Sequence, residues 1–380
     1  MSFVRSQLGA TPPGWRTLSF EEAFEDATGG NAKVQTSEYL TAGCLPVIDQ
    51  GQSEIAGYVD GPELACKAKL PCVIFGDHTR ALKWVNTPFV LGADGVKVLV
   101  PRDGVDPRFA FHYLQTVRLP EDLGYSRHFK YLKEIVVPAP PLPEQRRIAA
   151  ILDKADAIRR KRQEAITLTD ELLRSAFLEM FGDPGSNPRG WRTPTIDDFC
   201  VTGSGGTPSR TNLDRYYGGS IPWVKSGELR ETVILSTEET ITEEAIRESS
   251  VKWIPSGALL VAMYGATVGR IAQLGIRATS NQAVCHIVPD PTVAHTDFMF
   301  VGLQAQVPVW LGQAVGGAQP NISQGIIRAT TIPLPPLREQ MKFVEYAKKA
   351  RLLLKHLKTA ANEDAALSDS LTHRAFSGEL

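Results

Sequence analysis

No stretch of the 380-residue chain approaches the roughly 18 to 20 apolar residues that a membrane-spanning helix needs, the longest candidate being the short run around Ala258 to Met263. The N-terminal MSFVRSQLGATPPGW holds no apolar signal segment, so a cytosolic protein is expected. The five cysteines (Cys44, Cys66, Cys72, Cys200, Cys285) are odd in number and lack CxxC spacing. A disulfide framework and a zinc knuckle are thereby disfavoured, and reduced, mostly buried thiols are expected. A surplus of positive charge is also missing: 41 basic and 42 acidic residues leave a net charge of −1. Strong coating of a polyanion by this chain alone is disfavoured, although a neutral total permits local basic surfaces or a partner that supplies much of the clamp.

Catalytic signatures are missing too. No GxxxxGK(S/T), HExxH, GxSxG or DxDxDG pattern occurs, so phosphate-loop hydrolysis, zinc proteolysis, serine hydrolysis and EF-hand calcium binding lack their required groups. Asn86-Thr87-Pro88-Phe89 comes near the Asn-Pro-Pro-aromatic motif of amino-methyltransferases but has Thr where the first Pro belongs, and reads as a turn leading into a strand. The segment Thr202 to Pro208 (TGSGGTP) has backbone amides that suit a phosphate but no Lys and no strand-to-helix setting; a flexible loop touching a DNA backbone is the better expectation. His286, His295, His356 and His373 show no ligand spacing, so no metal site is expected and these side chains read as structural or surface histidines.

What the chain does contain is a copy of itself. At 43% hydrophobic and 22% charged residues it is long enough for two or three ordinary domains. VPAPPLPEQ (Val137 to Gln145) and IPLPPLREQ (Ile332 to Gln340) share six of nine positions: Pro138/Pro333, Pro140/Pro335, Pro141/Pro336, Leu142/Leu337, Glu144/Glu339 and Gln145/Gln340. A charged stretch free of Gly and Pro follows each, closing on LLRSAFLEMFGD (Leu172 to Asp183) or LTHRAFSGEL (Leu371 to Leu380). Gly14-Trp15-Arg16-Thr17 and Gly190-Trp191-Arg192-Thr193 mark the starts, each followed by an acidic pair, Glu21-Glu22 or Asp197-Asp198. The order is globule, helix, globule, helix.

The prolines suit a helix start and strong helix formers follow, so each stretch is expected to be a helix of about 40 residues, hence about 60 Å long. In the first, Ile148, Ile151, Ala155, Ile158, Ala165, Leu172, Ala176 and Met180 form an apolar seam interrupted by Arg162 and Thr169. In the second, Val344, Ala347, Ala350, Leu354, Leu357 and Ala361 do so, before an extra four residues that shift the phase. A lone helix of this length must bury its stripe, and an antiparallel pairing of the two helices as a coiled coil is expected. The globules are rich in short β-branched runs bounded by Gly, Pro, Asn or Asp, such as Leu45 to Ile48, Pro71 to Phe75, Val96 to Pro101, Ala258 to Tyr264 and Ala283 to Val288, and read as α+β. The division is 1–137, 138–183, 184–332 and 333–380, with pseudo-twofold symmetry from the duplication.

Polar clusters follow the apolar strands in both copies. In the first, His78, Thr79, Arg80 and Lys83 lie after one strand, and Arg127, His128, Lys130 and Tyr131 belong to a run (Tyr125 to Tyr131) that interleaves aromatics with bases. In the second, Tyr264, Thr267 and Arg270 take the first place, Gln319 and Asn321 of Gly316 to Ser323 take the second, and Gly205, Thr207, Arg210 and Lys225 add to them. These residue types pair with base edges or phosphates. Equivalent scaffolds with different polar tips suit two different sequences.

The repeated (V/I)PxPPLxEQ phrase, the closing Ala-Phe phrases, Ile74-Phe-Gly-Asp-His-Thr79 with Pro88-Phe89 and Gly92-Ala-Asp-Gly95, Ile221-Pro-Trp-Val224, Tyr264-Gly-Ala-Thr267 and Ser280-Asn-Gln-Ala283 resemble the specificity subunit of type I restriction-modification systems over essentially the whole chain. That resemblance implies two target recognition domains, each binding one half of a split double-stranded DNA site in the major groove. Two helices would act as spacer and as dock for methyltransferase subunits, expected to number two. Pro141, Glu144, Gln145, Pro336, Glu339 and Gln340 are the expected partner contacts. No catalytic centre is implied, and no cofactor in this chain: S-adenosylmethionine and ATP would sit on the methyltransferase and motor-nuclease subunits. The basic run Arg159 to Arg162 reads as a solvated or partner-facing surface. The alternatives are a fused or solitary restriction–methylation specificity part, a two-lobed protein-interaction scaffold, and an enzyme acting alone.

Overall fold

The computed structural model describes residues 12–92, 95–119, 127–230, 233–313 and 321–380. Its contacts divide the chain into two units, Met1–Gln163 with Thr359–Leu380, and Glu164–Lys358. Both long helices are unbroken, Leu142–Phe181 and Leu337–Ser377, so each unit holds one globule and a part of each helix. The four extra residues of the second copy are absorbed as continuous helix.

In the first unit, a four-stranded antiparallel sheet runs in the order Phe24–Asp26, Val96–Pro101, Cys72–Gly76, Leu82–Val85. The run Cys-Val-Ile-Phe is buried on both faces, as expected of a central strand covered on two sides. Val73 and Phe75 face a core with Phe20, Phe109, Phe129, Ile148, Leu152 and Phe376. Cys72 and Ile74 face another with Ile48, Phe89 and Leu91, contributed partly by the small sheet Gly57–Val59, Leu45–Ile48, Val90–Leu91. The expected turn at Asn86 to Pro88 leads into strand Val90–Leu91.

The second unit repeats this order: Cys200–Ser204, Val284–Pro289, Leu259–Ala262, Ile271–Leu274, with an added edge strand Val233–Ile234, beside the small sheet Glu239–Ile241, Tyr217–Val224, Thr279–Ser280. The start phrases are repeated in pairing as well. Arg16–Ser19 pairs with Val136–Ala139, and Arg192 and Thr195 bridge to Leu334 and Thr331.

Within each unit the two helix segments run antiparallel. In the first, Arg147 reaches the Leu380 carbonyl and Arg162 pairs with Asp364; in the second, the Phe177 and Phe181 rings meet Phe343. The seam differs from the expected one. Leu152, Ile166, Leu173 and Phe177 are buried, whereas Ile158 and Leu172 are exposed. Two polar interruptions lie on the packed side, Thr169 buried with its Oγ1 donating to Ala165 O, and Arg162 in its ion pair.

Each globule is fixed to its helices in the same way. Gln145 accepts from Asp106 N (2.7 Å) and donates to Pro140 O (2.8 Å) and Gly104 O (3.0 Å). Gln340 accepts from His295 N (2.9 Å) and donates to Pro335 O (2.9 Å) and Val293 O (3.0 Å). Asp106 caps the helix Pro107–Thr116, and His295 Nδ1 accepts from Asp297 N at the start of Thr296–Gln313. Both glutamines are therefore buried clamps, which corrects their expected role as partner contacts: a fully satisfied, enclosed amide presents nothing outward.

Candidate nucleic-acid interface

Three backbone hydrogen bonds gather the loops at one end of the first unit: Gly92 N to Ile48 O, Asp77 N to Gly95 O and His128 N to Asp77 O. The second unit has their counterparts, Asn281 N to Val224 O, Met263 N to Ala283 O and Ile322 N to Met263 O. The same loops therefore converge in both copies because the same ladder ends tie them.

In the first tip, the turn after strand Cys72–Gly76 is pinned by Thr79 Oγ1 donating to Gln50 O and His78 N donating to Gln50 Oε1 (3.3 Å). Arg80 stands exposed at φ 60°, a conformation costly for a side-chain-bearing residue, with its N donating to Gly76 O. Buried Asp77 accepts from Phe129 N (2.8 Å) and so holds the following segment against the turn. Arg127 and Lys130 are exposed, and Lys130 lies over the half-buried Tyr131 ring. His128 is buried, with Nδ1 unpaired among the described residues; burial first, then Arg80 and His78, hold its pKa below the ordinary value against the pull of Asp77. Two cations escaped sequence reasoning: Lys97 and Lys133 flank the Phe129 ring at 4.9 and 5.1 Å, and half-buried Lys97 shares the face of strand Val96–Pro101 that carries buried Leu99.

Lys83 is a correction. It is buried, donating to Asp49 O (2.7 Å) and pairing with the Asp49 carboxylate (3.3 Å), because it shares the inward face of its strand with Val85. Tyr125 lies outside the described residues.

In the second tip, Tyr264, Arg270 and Asn321 are exposed, Tyr264 bridges to Asn321, and Thr267 Oγ1 donates to Tyr264 O. Arg270 has no ion pair among the described residues. Thr207 is exposed and donates to exposed Gln282, which the sequence marked only as part of the Ser280-to-Ala283 phrase and not as a site residue. Gln319 lies outside the described residues. The Thr202 to Pro208 expectation needs correction: Cys200–Ser204 is a strand, and Gly205 and Gly206 are buried with N–H groups donating to Val284 O and Ser280 O. A Cβ at Gly205 would overlap the Ser280 and Asn281 carbonyl oxygens, so glycine serves close backbone packing there. Arg210 and Lys225 reach the tip already engaged. Arg210 pairs with Glu239 (2.9 Å) over the Tyr217 ring, and Lys225 pairs with Glu238 (2.9 Å) and Glu239 (3.0 Å).

Of the other expected partner contacts, Pro141 and Pro336 are exposed, while Glu144 and Glu339 are half-buried and paired with Arg147 and Lys342. The hydrogen bond from Arg147 holds the Glu144 carboxyl below its usual range. Among the described residues no group of three metal-ligating side chains occurs, and no helix is long and apolar enough to cross a membrane.

The family model for the type I restriction modification DNA specificity domain matches residues 30–168 and again 188–360. A type I restriction enzyme specificity subunit from Escherichia coli is 26% identical over 370 residues, 92% of this chain and 89% of that one. The MjaIX specificity subunit of Methanocaldococcus jannaschii is 30% identical over 42% of this chain and 38% of its own. The crystal structure of a type I restriction-modification S subunit from M. genitalium superimposes with a TM-score of 0.62 at 13% identity over 98% of both chains. A chain from a structure describing assembly and conformational transition of a type I system gives 0.52 at 18%, over 97% of this chain and 99% of that one. At these identities the structural likeness establishes the fold.

Proposed function

The chain belongs to the type I restriction-modification DNA specificity family, and from that premise we propose that each unit reads one half of a bipartite double-stranded DNA target through its loop tip, in the major groove. Specificity subunits of this family recognise DNA and are not catalytic. The observation that carries the reading is the matched set of three backbone hydrogen bonds, which presents equivalent loops bearing His78, Thr79 and Arg80 in one unit and Tyr264, Thr267 and Arg270 in the other. One scaffold with two sets of donors and acceptors is what two unlike half-sites require.

The long helices serve as spacer and dock. Aligning the copies from Leu142 and Leu337 makes Ile158 equivalent to Leu353, and aligning the Ala-Phe phrases makes Leu168 equivalent to Leu367. All four are exposed, at 51, 50, 55 and 57%. Each unit thus offers one of each kind, and a partner present in two copies would find the same apolar pair twice. We assign this face, with Pro141 and Pro336, to two methyltransferase subunits, which would carry S-adenosylmethionine; ATP would belong to a motor-nuclease subunit where one joins. The setting is the cytoplasm, where the DNA is.

Lengthening the helical spacer tests the proposal. Four residues inserted near Ala165 add about 6 Å of helix, so the unspecified gap in the methylated site should grow by about one or two base pairs, given about 3.4 Å per pair. An unchanged gap would contradict the spacer role.

A further inference from the structure

The second tip contains an electrostatic cluster that, among the described residues, has no counterpart of the same sign in the first. Lys225 follows strand Tyr217–Val224, at the position that Asp49 occupies after Leu45–Ile48. Its Nζ sits between Glu238 (2.9 Å) and Glu239 (3.0 Å). Arg210 reaches the other Glu239 oxygen at 2.9 Å with its guanidinium 4.4 Å from the Tyr217 ring centre, and Arg230 lies 4.0 Å from Glu238. The acids are themselves placed: Glu228 accepts from Lys225 N (2.8 Å) and Glu238 N (2.9 Å), and Thr237 Oγ1 donates to Glu239 O (2.7 Å). Both glutamates hydrogen-bond to Lys225 and raise its pKa. Burial opposes ionisation of Glu239, but Lys225 and Arg210 outweigh it and lower its pKa.

Among the described residues of this cluster, three cations stand against three carboxylates and their charges offset. In the first tip, Arg80, Arg127, Lys97, Lys130 and Lys133 have no carboxylate partner among the described residues. Nonspecific DNA affinity comes from cations free to replace counterions, and a cation already matched to a carboxylate has little to offer. A planar guanidinium stacked on an aromatic and paired is also fixed in direction.

We propose that Glu238 and Glu239 are specificity-determining residues of the second reader: by holding Arg210 and Lys225 they withhold sequence-independent phosphate contact, leaving that half-site to Arg270 and to neutral groups such as Tyr264, Thr267, Gln282 and Asn321. This rests on the DNA-reading role and deepens it. The test uses the full chain assembled with its methyltransferase subunits, carrying Glu238→Gln and Glu239→Gln together, since amides keep the shape and remove the charge. Binding to the target duplex and to a random-sequence duplex is measured across a salt series. Random-sequence binding should tighten about tenfold at low salt, its log–log salt slope should steepen by about 0.9 for each released cation, and the ratio of specific to nonspecific affinity should fall. Unchanged or weaker binding to the random-sequence duplex would overturn the inference. The companion variant Arg210→Gln with Lys225→Gln should stay within about twofold of the parent on both duplexes; a loss of about tenfold or more would show that these cations already grip phosphate and would equally overturn it. Failure of the unaltered assembly to prefer any duplex would remove the DNA-reading role itself, a result distinct from either.

Discussion

In the first unit the turn after the central strand is short and cationic, with Arg80 at positive φ and His128 packed behind it; in the second the same turn is longer and carries Tyr264, Thr267 and Arg270. Behind the turns the copies match closely, down to Gln145 and Gln340 clamping helix starts through the same three bonds. Charge is the freer variable. Asp153 of the first long helix holds Arg108 (2.8 Å) and His112 (2.8 Å), whereas Arg351 of the second holds Asp297, so the same kind of brace is built with its signs reversed. Asp49 with Lys83 against Lys225 with Glu239 repeats the inversion. Coulomb attraction depends on the product of the charges, so a pair can be inverted whole without loss, while a backbone bond or a packed ring has no such mirror. Duplication therefore preserved what cannot be inverted and left the polar surface free to diverge.

The matched aromatic anchors offer the hardest test of that comparison. Phe177 lies 5.4 Å from Phe298 in the second unit, and its counterpart Phe376 lies 5.3 Å from Phe109 in the first. Phe177→Ala and Phe376→Ala should each cost about 3–5 kcal/mol, read by denaturant unfolding; a loss below about 1 kcal/mol for one alone would show that the copies are not braced alike. A smaller effect separates them by pH. His286 sits in strand Val284–Pro289 opposite Leu260, where the first unit places Val98 opposite Ile74. Burial first, then Lys252, lower the His286 pKa. The unfolded chain, with a histidine pKa near about 6.5, then takes up the proton first. Stability is accordingly full above that pH and declines as pH falls below it, until the folded imidazole also protonates. His286→Val should flatten this decline, and an unaltered pH profile would contradict a buried neutral imidazole.

The duplication, both helices and the α+β character were legible because Pro-rich starts and apolar periodicity are local signals. The sheet order was not, since strand pairing such as Ile74 with Val98 is set by contacts distant in sequence. The seam was misjudged at Ile158 and Leu172 for a related reason: periodicity finds stripes but does not say which stripe a neighbour covers. At the tips, residue type pointed to Arg80, Arg127 and Arg270, which stand exposed, and equally to Lys83, Arg210 and Lys225, which are engaged by carboxylates distant in sequence, Asp49, Glu238 and Glu239. Type alone does not reveal a distant partner, and Gly205 looked like a mobile loop glycine until its close neighbours were seen.

The central claim is that two unlike tips read two half-sites independently, and mapping methylated adenines with Arg80→Gln and Arg270→Gln assemblies addresses it directly. Each substitution should relax recognition in one half of a two-part motif, by about 1–3 kcal/mol at the affected base pair, with the other half and the gap unchanged. Relaxation of the same half by both, or a single uninterrupted motif, would contradict it.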